Sequence, residues 1–421
     1  MIGRGLRSTL RGVLVAVWVT GLTTDALAQG TETSAPPNTG FQIAPRGYVQ
    51  FDWRGFPDWP VTPGTGRLTY DTLEVRRARV GVDGSWGRLS YEFTVDPQDL
   101  DDTLVRDAYG RWRFTRAFQV QVGQFKLPGS REYLAAARNL DFMERSALAQ
   151  FVAPGRDAGA MLHGEIGRVE YQTGVFVGDG RGRGVQEEAP VEGPILISDG
   201  RSRGSRSGLT SASRVVWNPP GDLEFGGSLS VGHTSAVDED PANGIEGRTT
   251  SGYRFFERVY VEGMRVRLGG DLTWSPGPWR VAVEGIRVTD ARNGQGLDFE
   301  DLPSVQSLGY SVSLVRQLGR RGGGQSRSRL REVDLGIRLD GLHFDDTGPD
   351  TGQSSTRPRA TDIRARGATS VTMTASWQPT RWTRVIGSGG VDTFTDARSA
   401  PEPGRSGGYW SAGTRLQIEL P

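Results

Sequence analysis

Cysteine is absent from this 421-residue chain, lysine occurs once and histidine three times. Without cysteine there is no disulfide, no thiolate metal site and no thiol nucleophile. His163, His233 and His343 are far apart in sequence and share no ligand spacing, so no metal centre is read from them. Asp96, Asp99, Asp101 and Asp102 lack the ordered spacing and glycine of a calcium loop. Glycine-rich Gly178–Gly184 is followed by no helical pattern, which argues against a nucleotide-cradling loop. No nucleophile elbow or Ser-His-Asp order is present, so the sequence predicts neither an enzyme nor a cofactor. The charge total, 50 basic against 49 acidic side chains, lacks the strong basic bias of a nucleic-acid binder.

Long apolar runs are also missing. The mean hydropathy is −0.44 and the hydrophobic fraction 36%, so a bundle of apolar membrane helices is excluded. The one short run, Gly12–Leu22, follows Arg4, Arg7 and Arg11 and precedes Ala26-Leu27-Ala28. A charged start, a short apolar centre and a small-x-small end predict a secretory signal peptide over 1–28. A membrane anchor would need about 20 apolar residues, roughly twice this run. Residues 29–46 are polar and contain proline, and are expected to form a flexible tail. Export without cysteine suits the envelope of a Gram-negative cell.

Alternation dominates from residue 47 onward, and it has the period of a strand with two unlike faces. Val333, Leu335, Ile337 and Leu339 interleave with Asp334, Arg338 and Asp340, and similar runs recur to the end of the chain. Strands are expected at 47–53, 73–83, 88–95, 104–113, 117–124, 158–166, 168–177, 209–217, 223–234, 258–275, 279–290, 304–317, 330–342, 368–377, 383–394 and 408–420. Helical periodicity is confined to the neighbourhood of Tyr133–Ala147. Connections alternate between short (Gly167, Asn218–Asp222, Pro276–Pro278) and long (Phe125–Asp157, Gly178–Gly208, His343–Gly367), with Arg320–Arg329 the least tidy short one. An even strand number with alternating turns describes an all-β antiparallel transmembrane barrel over 47–421, with short periplasmic turns and long outer loops. Lipid offers no hydrogen-bond partner, so such a sheet must close. Trp112, Tyr171, Trp274, Trp279, Trp377, Trp382, Tyr409 and Trp410 fall near strand ends, where an aromatic girdle belongs. A soluble sandwich or propeller also alternates, but no fixed repeat of the propeller kind is visible.

Several ordered motifs of the first half carry a family resemblance. Arg76-Arg77-Ala78-Arg79-Val80-Gly81 precedes Asp107-Ala108-Tyr109 with Arg111 and Arg113. Val122-Gly123-Gln124-Phe125-Lys126-Leu127-Pro128, Phe142-Met143-Glu144-Arg145 and Phe151-Val152-Ala153-Pro154-Gly155-Arg156-Asp157 follow. Together they resemble the phosphate-selective porin O and P family over roughly residues 47–178. The resemblance implies a sixteen-strand outer-membrane barrel, usually a homotrimer, that passes anions with phosphate or polyphosphate favoured. Members bind phosphate with clustered lysines, and here Lys126 stands alone.

An anion path follows from the assumption that apolar positions face lipid. Arg77 and Arg79 then face the lumen, as do Arg111 and Arg113 on the strand that also carries Asp107 and Tyr109. Arg265, Arg267, Arg338 and Arg415 fall on lumen faces by the same rule. The third long connection is expected to fold inward as a constriction, bringing Lys126, Arg131 and Arg138 to the path. Guanidinium forks hold phosphate or carboxylate oxygens and stay charged at any working pH. Glu144, Arg145, Arg156 and Asp157 are read as braces of that loop. Each lumen arginine has a second reading, pairing with a wall carboxylate such as Glu92, Asp107, Asp271 or Asp340. Two other functions remain open at this point: a weakly selective or organic-anion porin, and a non-conducting envelope protein that binds through its loops.

Overall fold

A computed structural model describes residues 40–56, 71–99, 104–180, 208–234, 244–294, 300–318, 332–345, 366–395 and 408–420. The expected signal peptide and the connection at 320–329 lie outside these residues. No described helix is long and apolar enough to cross a membrane, and the spanning elements are strands.

Sixteen antiparallel strands close into one barrel. Its first half is β1 (Phe41–Gly55), β2 (Asp71–Trp86), β3 (Leu89–Val95), β4 (Val105–Arg113), β5 (Gln119–Lys126), β6 (Arg156–Ile166), β7 (Val169–Phe176), β8 (Thr210–Trp217) and β9 (Leu223–Thr234). After an intervening hairpin, β10 (Gly244–Arg248) and β11 (Arg254–Tyr260), the wall resumes with β12 (Gly263–Trp274), which pairs directly with β9. The remainder is β13 (Trp279–Arg292), β14 (Leu302–Gln317), β15 (Glu332–Asp345), β16 (Arg366–Thr380), β17 (Thr383–Phe394) and β18 (Tyr409–Glu419). Closure runs from Tyr48↔Glu419 to Gly55↔Ala412.

Two-faced strands explain the closure. On β15, Leu335, Ile337 and Leu339 are exposed on the outside, while Arg338 and Asp340 are buried inside. Trp112, Trp274, Trp279, Trp377 and Trp410 are exposed near strand ends, as a membrane girdle requires. Tyr409 departs from that expectation. It is consecutive with Trp410, so the pleat sends the two rings to opposite faces and Tyr409 into the interior.

Three boundaries also differ from the sequence reading. Residues 41–46 are not part of a flexible tail; they extend β1 beside β2. Among the described residues this extension has a partner strand on one side only, because pairing with β18 starts at Tyr48, and Pro45 lies on that edge, where its missing N–H is tolerated. The run at 258–275 is two elements rather than one. Gly263, at φ 112°, turns the chain from the hairpin into the wall, a conformation that favours glycine. Finally, the third connection spans 127–155, and Lys126 and Arg156 are the facing last and first residues of its flanking strands.

Candidate permeation site inside the barrel

The third connection folds into the lumen as short, irregular pieces rather than one helix. Helix α1 (Arg131–Leu134) is capped by Ser130, whose hydroxyl accepts from the Tyr133 backbone N–H at 3.0 Å. The Glu284 carboxylate on β13 accepts the backbone N–H groups of Arg131 (2.8 Å) and Glu132 (3.1 Å), which docks this turn on the wall. Further on, a π-helical turn, Leu148–Val152, buries Leu148, Ala149 and Val152. They pack with Phe255 and Phe256 of the β10–β11 hairpin and with Ile286, Val288, Val305, Leu342, Phe344 and Tyr409 of the wall. Phe256 and Phe344 stack with centroids 4.2 Å apart. Apolar contact thus holds both the loop and the hairpin inside the barrel. The hairpin was not expected from sequence, because all but its last three residues fall in a stretch read as a long connection.

Glu144 is the electrostatic anchor of the loop. Its carboxylate accepts from Arg54 (2.6 Å), Arg76 (2.9 Å), Arg77 (3.2 Å) and Arg415 (2.9 Å), drawn from β1, β2 and β18. Burial alone would raise the Glu144 acid, but the guanidiniums of Arg76, Arg77, Arg54 and Arg415 outweigh it and hold the group well below the usual carboxylate range. Arg415 also grips both oxygens of Asp52 at 2.7 Å. Arg338 on β15 donates to Asp340 (2.8 Å), to Glu132 (3.3 Å) and to the Glu144 carbonyl (2.8 Å). On the other side, Asp179 just beyond β7 accepts from Arg265 and Arg267, each at 2.7 Å. Burial raises that acid, and the two guanidiniums more than reverse the shift, to below the usual range.

Two arginines reach this network through β-bulges. The β1–β2 register passes from Gln50↔Arg77 to Phe51↔Val75, leaving Arg76 as the extra residue. The β3–β4 register passes from Thr94↔Asp107 to Val95↔Val105, leaving Arg106 as the extra residue. Both side chains are buried, Arg76 against Glu144 and Arg106 3.9 Å from Asp96. A strict period of two predicts the opposite face for each, so alternation missed them.

The expected path residues divide into three groups. Arg77 and Arg79 are in the lumen but engaged, Arg77 with Glu144 and Gln50, Arg79 with Asp96 at 2.9 Å. Lys126 is half-buried, and its ammonium donates to the Leu134 and Ala135 carbonyls at 2.8 Å, 5.7 Å from the Tyr133 ring. The only lysine therefore holds the loop's own backbone. Arg111 donates to Gln121 (3.0 Å) and lies 5.6 Å from the Tyr109 ring, while Arg113 is half-buried at the periplasmic end of β4. Arg131 and Arg138 are half-buried on the loop, and among the described residues their guanidiniums make no ion pair. The Arg138 carbonyl accepts from Arg384 and Gln417.

The expected braces are placed as follows. Glu144 is the anchor described above. Arg145 donates to the Ala135 carbonyl (2.8 Å) and stacks 5.3 Å from Tyr133. Arg156 pairs with Asp107 at 3.2 Å, and the Asp157 carboxylate accepts the backbone N–H groups of Ala158 (2.8 Å) and Gly180 (3.3 Å). Among the described residues, no group of three metal-ligating side chains converges.

This is a closed barrel whose interior holds one charged loop and the β10–β11 hairpin. The family profile described as "Phosphate-selective porin O and P" matches residues 48–306. The chain belongs to this family. It is an outer-membrane porin. Known structures share its fold at low identity. The outer-membrane channel DcaP of Acinetobacter baumannii aligns at 10% identity and TM-score 0.57, covering 90% of this chain and 98% of that one. The trimer form of OmpT of Vibrio cholerae aligns at 11% and 0.55, covering 90% and 99%. An anion-selective porin from Comamonas acidovorans aligns at 11% and 0.51, covering 90% and 100%. No curated protein matches the porin's sequence.

Proposed function

We propose that this porin is a homotrimer that lets small anions diffuse passively across the outer membrane through an arginine-lined lumen. One observation carries the reading. Arg54, Arg76, Arg77, Lys126, Arg145 and Arg415 are six cations on or beside the third loop, and among the described residues their ion pairs reach three carboxylates, Asp52, Glu74 and Glu144. Such an excess in a narrow, poorly screened lumen attracts mobile anions and repels cations. Arg131 and Arg138, which carry no ion pair among the described residues, are the groups on the loop that transiently hold a passing anion. Arg111 and Arg113 extend the cationic wall toward the periplasm. Lys126, Arg77 and Arg79 contribute long-range charge rather than contact.

Phosphate, the anion in the family's description, would meet arginines only in this pore. Reversal potentials in a potassium chloride gradient across a planar bilayer test the reading. Anion preference supports it; a cation-preferring pore, or no channel, refutes it. Phosphate block of the chloride current measures the finer preference.

A further inference from the structure

A cavity of about 200 Å³ lies against the inner side of the third loop, between that loop and β13–β15. Its wall is divided. Phe142, Leu140, Ala135 and Ala282 form an apolar part, and Arg131, Arg280 and Arg338 with Glu132, Asp141 and Glu284 form a polar part. The three carboxylates are already engaged. Glu284 accepts two backbone N–H groups of α1, Glu132 accepts from Ser146 and Arg338, and Asp141 pairs with Arg280. Unused hydrogen-bonding capacity is cationic. Among the described residues, the buried Nη2 of Arg338, a residue 1% exposed, and the buried Nε of Arg131 have no hydrogen-bond partner.

We infer that this cavity is a binding site for small organic monocarboxylates, a station on the anion path where one carboxylate meets Arg131 and Arg338 and its hydrocarbon body lies on Phe142 and Leu140. The inference rests on the anion-porin reading and narrows its substrate class. Two physical arguments separate a monocarboxylate from phosphate, since a guanidinium fork holds either. A single negative charge is matched by Arg131, the one lining guanidinium without an ion pair among the described residues, whereas a phosphate dianion doubles the repulsion from Glu132, Asp141 and Glu284. The apolar half of the wall gains only from a ligand with apolar surface to bury, which inorganic phosphate lacks. The mixed lining also keeps binding weak enough for release, as conduction demands.

Chloride current through the intact porin in planar bilayers tests this with sodium benzoate and sodium phosphate as probes at pH 8. The expected result is benzoate block at concentrations at least tenfold below those of phosphate. Arg131→Gln is expected to raise the blocking concentration of benzoate about tenfold while shifting that of phosphate less than twofold, and Arg131→Lys to restore part of it. Ser313 of β14 also lines the cavity, and Ser313→Leu, which fills it without changing a charge, is expected to weaken benzoate block in the same way. Equal potency of the two probes, tighter block by phosphate, or variants that move both probes together would overturn the inference. Reversal potentials recorded on the same membranes separate the two failures. An anion-selective pore with no benzoate preference refutes the cavity alone, and a cation-selective one refutes the porin reading beneath it.

Discussion

Arg415, on the last strand, lies 2.9 Å from Glu144, on a loop 271 positions earlier. The same carboxylate holds Arg54, Arg76 and Arg77, so one acid ties the third loop to β1, β2 and β18 together. Removing one member of a buried ion cluster leaves the others uncompensated, a loss of about 3–5 kcal/mol. Glu144→Ala is therefore expected to lower the temperature at which the barrel loses its heat-modifiable gel mobility and to raise single-channel conductance as the loop leaves the lumen. Unchanged conductance would show that the apolar contacts of Leu148 and Val152 suffice to hold it.

Lys126 is a brace in this structure, and its replacement separates bracing from conduction. Lys126→Met removes two hydrogen bonds to loop carbonyls and one charge among many. We expect increased current noise with a reversal potential close to that of the native pore. Arg138→Gln, at a half-buried position of the loop, is expected to reduce anion preference with little extra noise. The opposite pattern would return the lysine to the anion path.

The Glu144 cluster also fixes a pH range. Its acid is depressed in the folded protein from an ordinary value of 4.5. A depressed carboxylate contributes stability that is fully present above its unfolded value and is lost as pH falls through the lower folded value. Conductance should accordingly stay level from pH 7 down to about 4.5, with the loop released only in stronger acid. A transition near pH 6 would contradict this assignment.

The β10–β11 hairpin occupies lumen that would otherwise conduct. Replacing residues 244–260 by a short glycine-serine linker removes Phe255 and Phe256 from the apolar cluster. Single-channel conductance is expected to rise severalfold, and the π-helical turn, stripped of its packing, should become accessible to protease. Equal conductance in the two proteins would place the hairpin outside the ion path.

Gly123 in β5 has φ 133°, and a Cβ there would meet the Ala108 carbonyl oxygen at 2.2 Å. Gly123→Ala combines backbone strain with a backbone clash, at a cost of about 1–3 kcal/mol. Slower refolding into detergent micelles and a lower unfolding midpoint are expected; a neutral outcome would mean the strand can shift.

Much of the barrel was legible because lipid enforces a rule that sequence can express. A wall with oil outside and water inside demands period two, and Leu335 to Asp340 obey it. The lumen follows no comparable rule. Arg76 and Arg106 were missed because a bulge inserts one residue and reverses the facing locally. Tyr409 was placed in the girdle because composition marks strand ends but not faces. The hairpin at 244–260 breaks alternation at the adjacent Phe255 and Phe256, and only three-dimensional packing reveals that both join an interior cluster. Lys126 showed the sharpest limit. A cation at the foot of a constriction loop reads the same in sequence whether it faces water or two carbonyl oxygens.

The position of Glu144 has a consequence for how the molecule is made. Its partners come from the first two strands and from the last, so the cluster is incomplete until the C-terminal strand has joined the N-terminal one. During biogenesis the constriction is therefore seated by the same event that seals the wall. A barrel stalled before that event would hold Glu144 against fewer guanidiniums and its loop less firmly, so the cluster reports on completed assembly from within the pore.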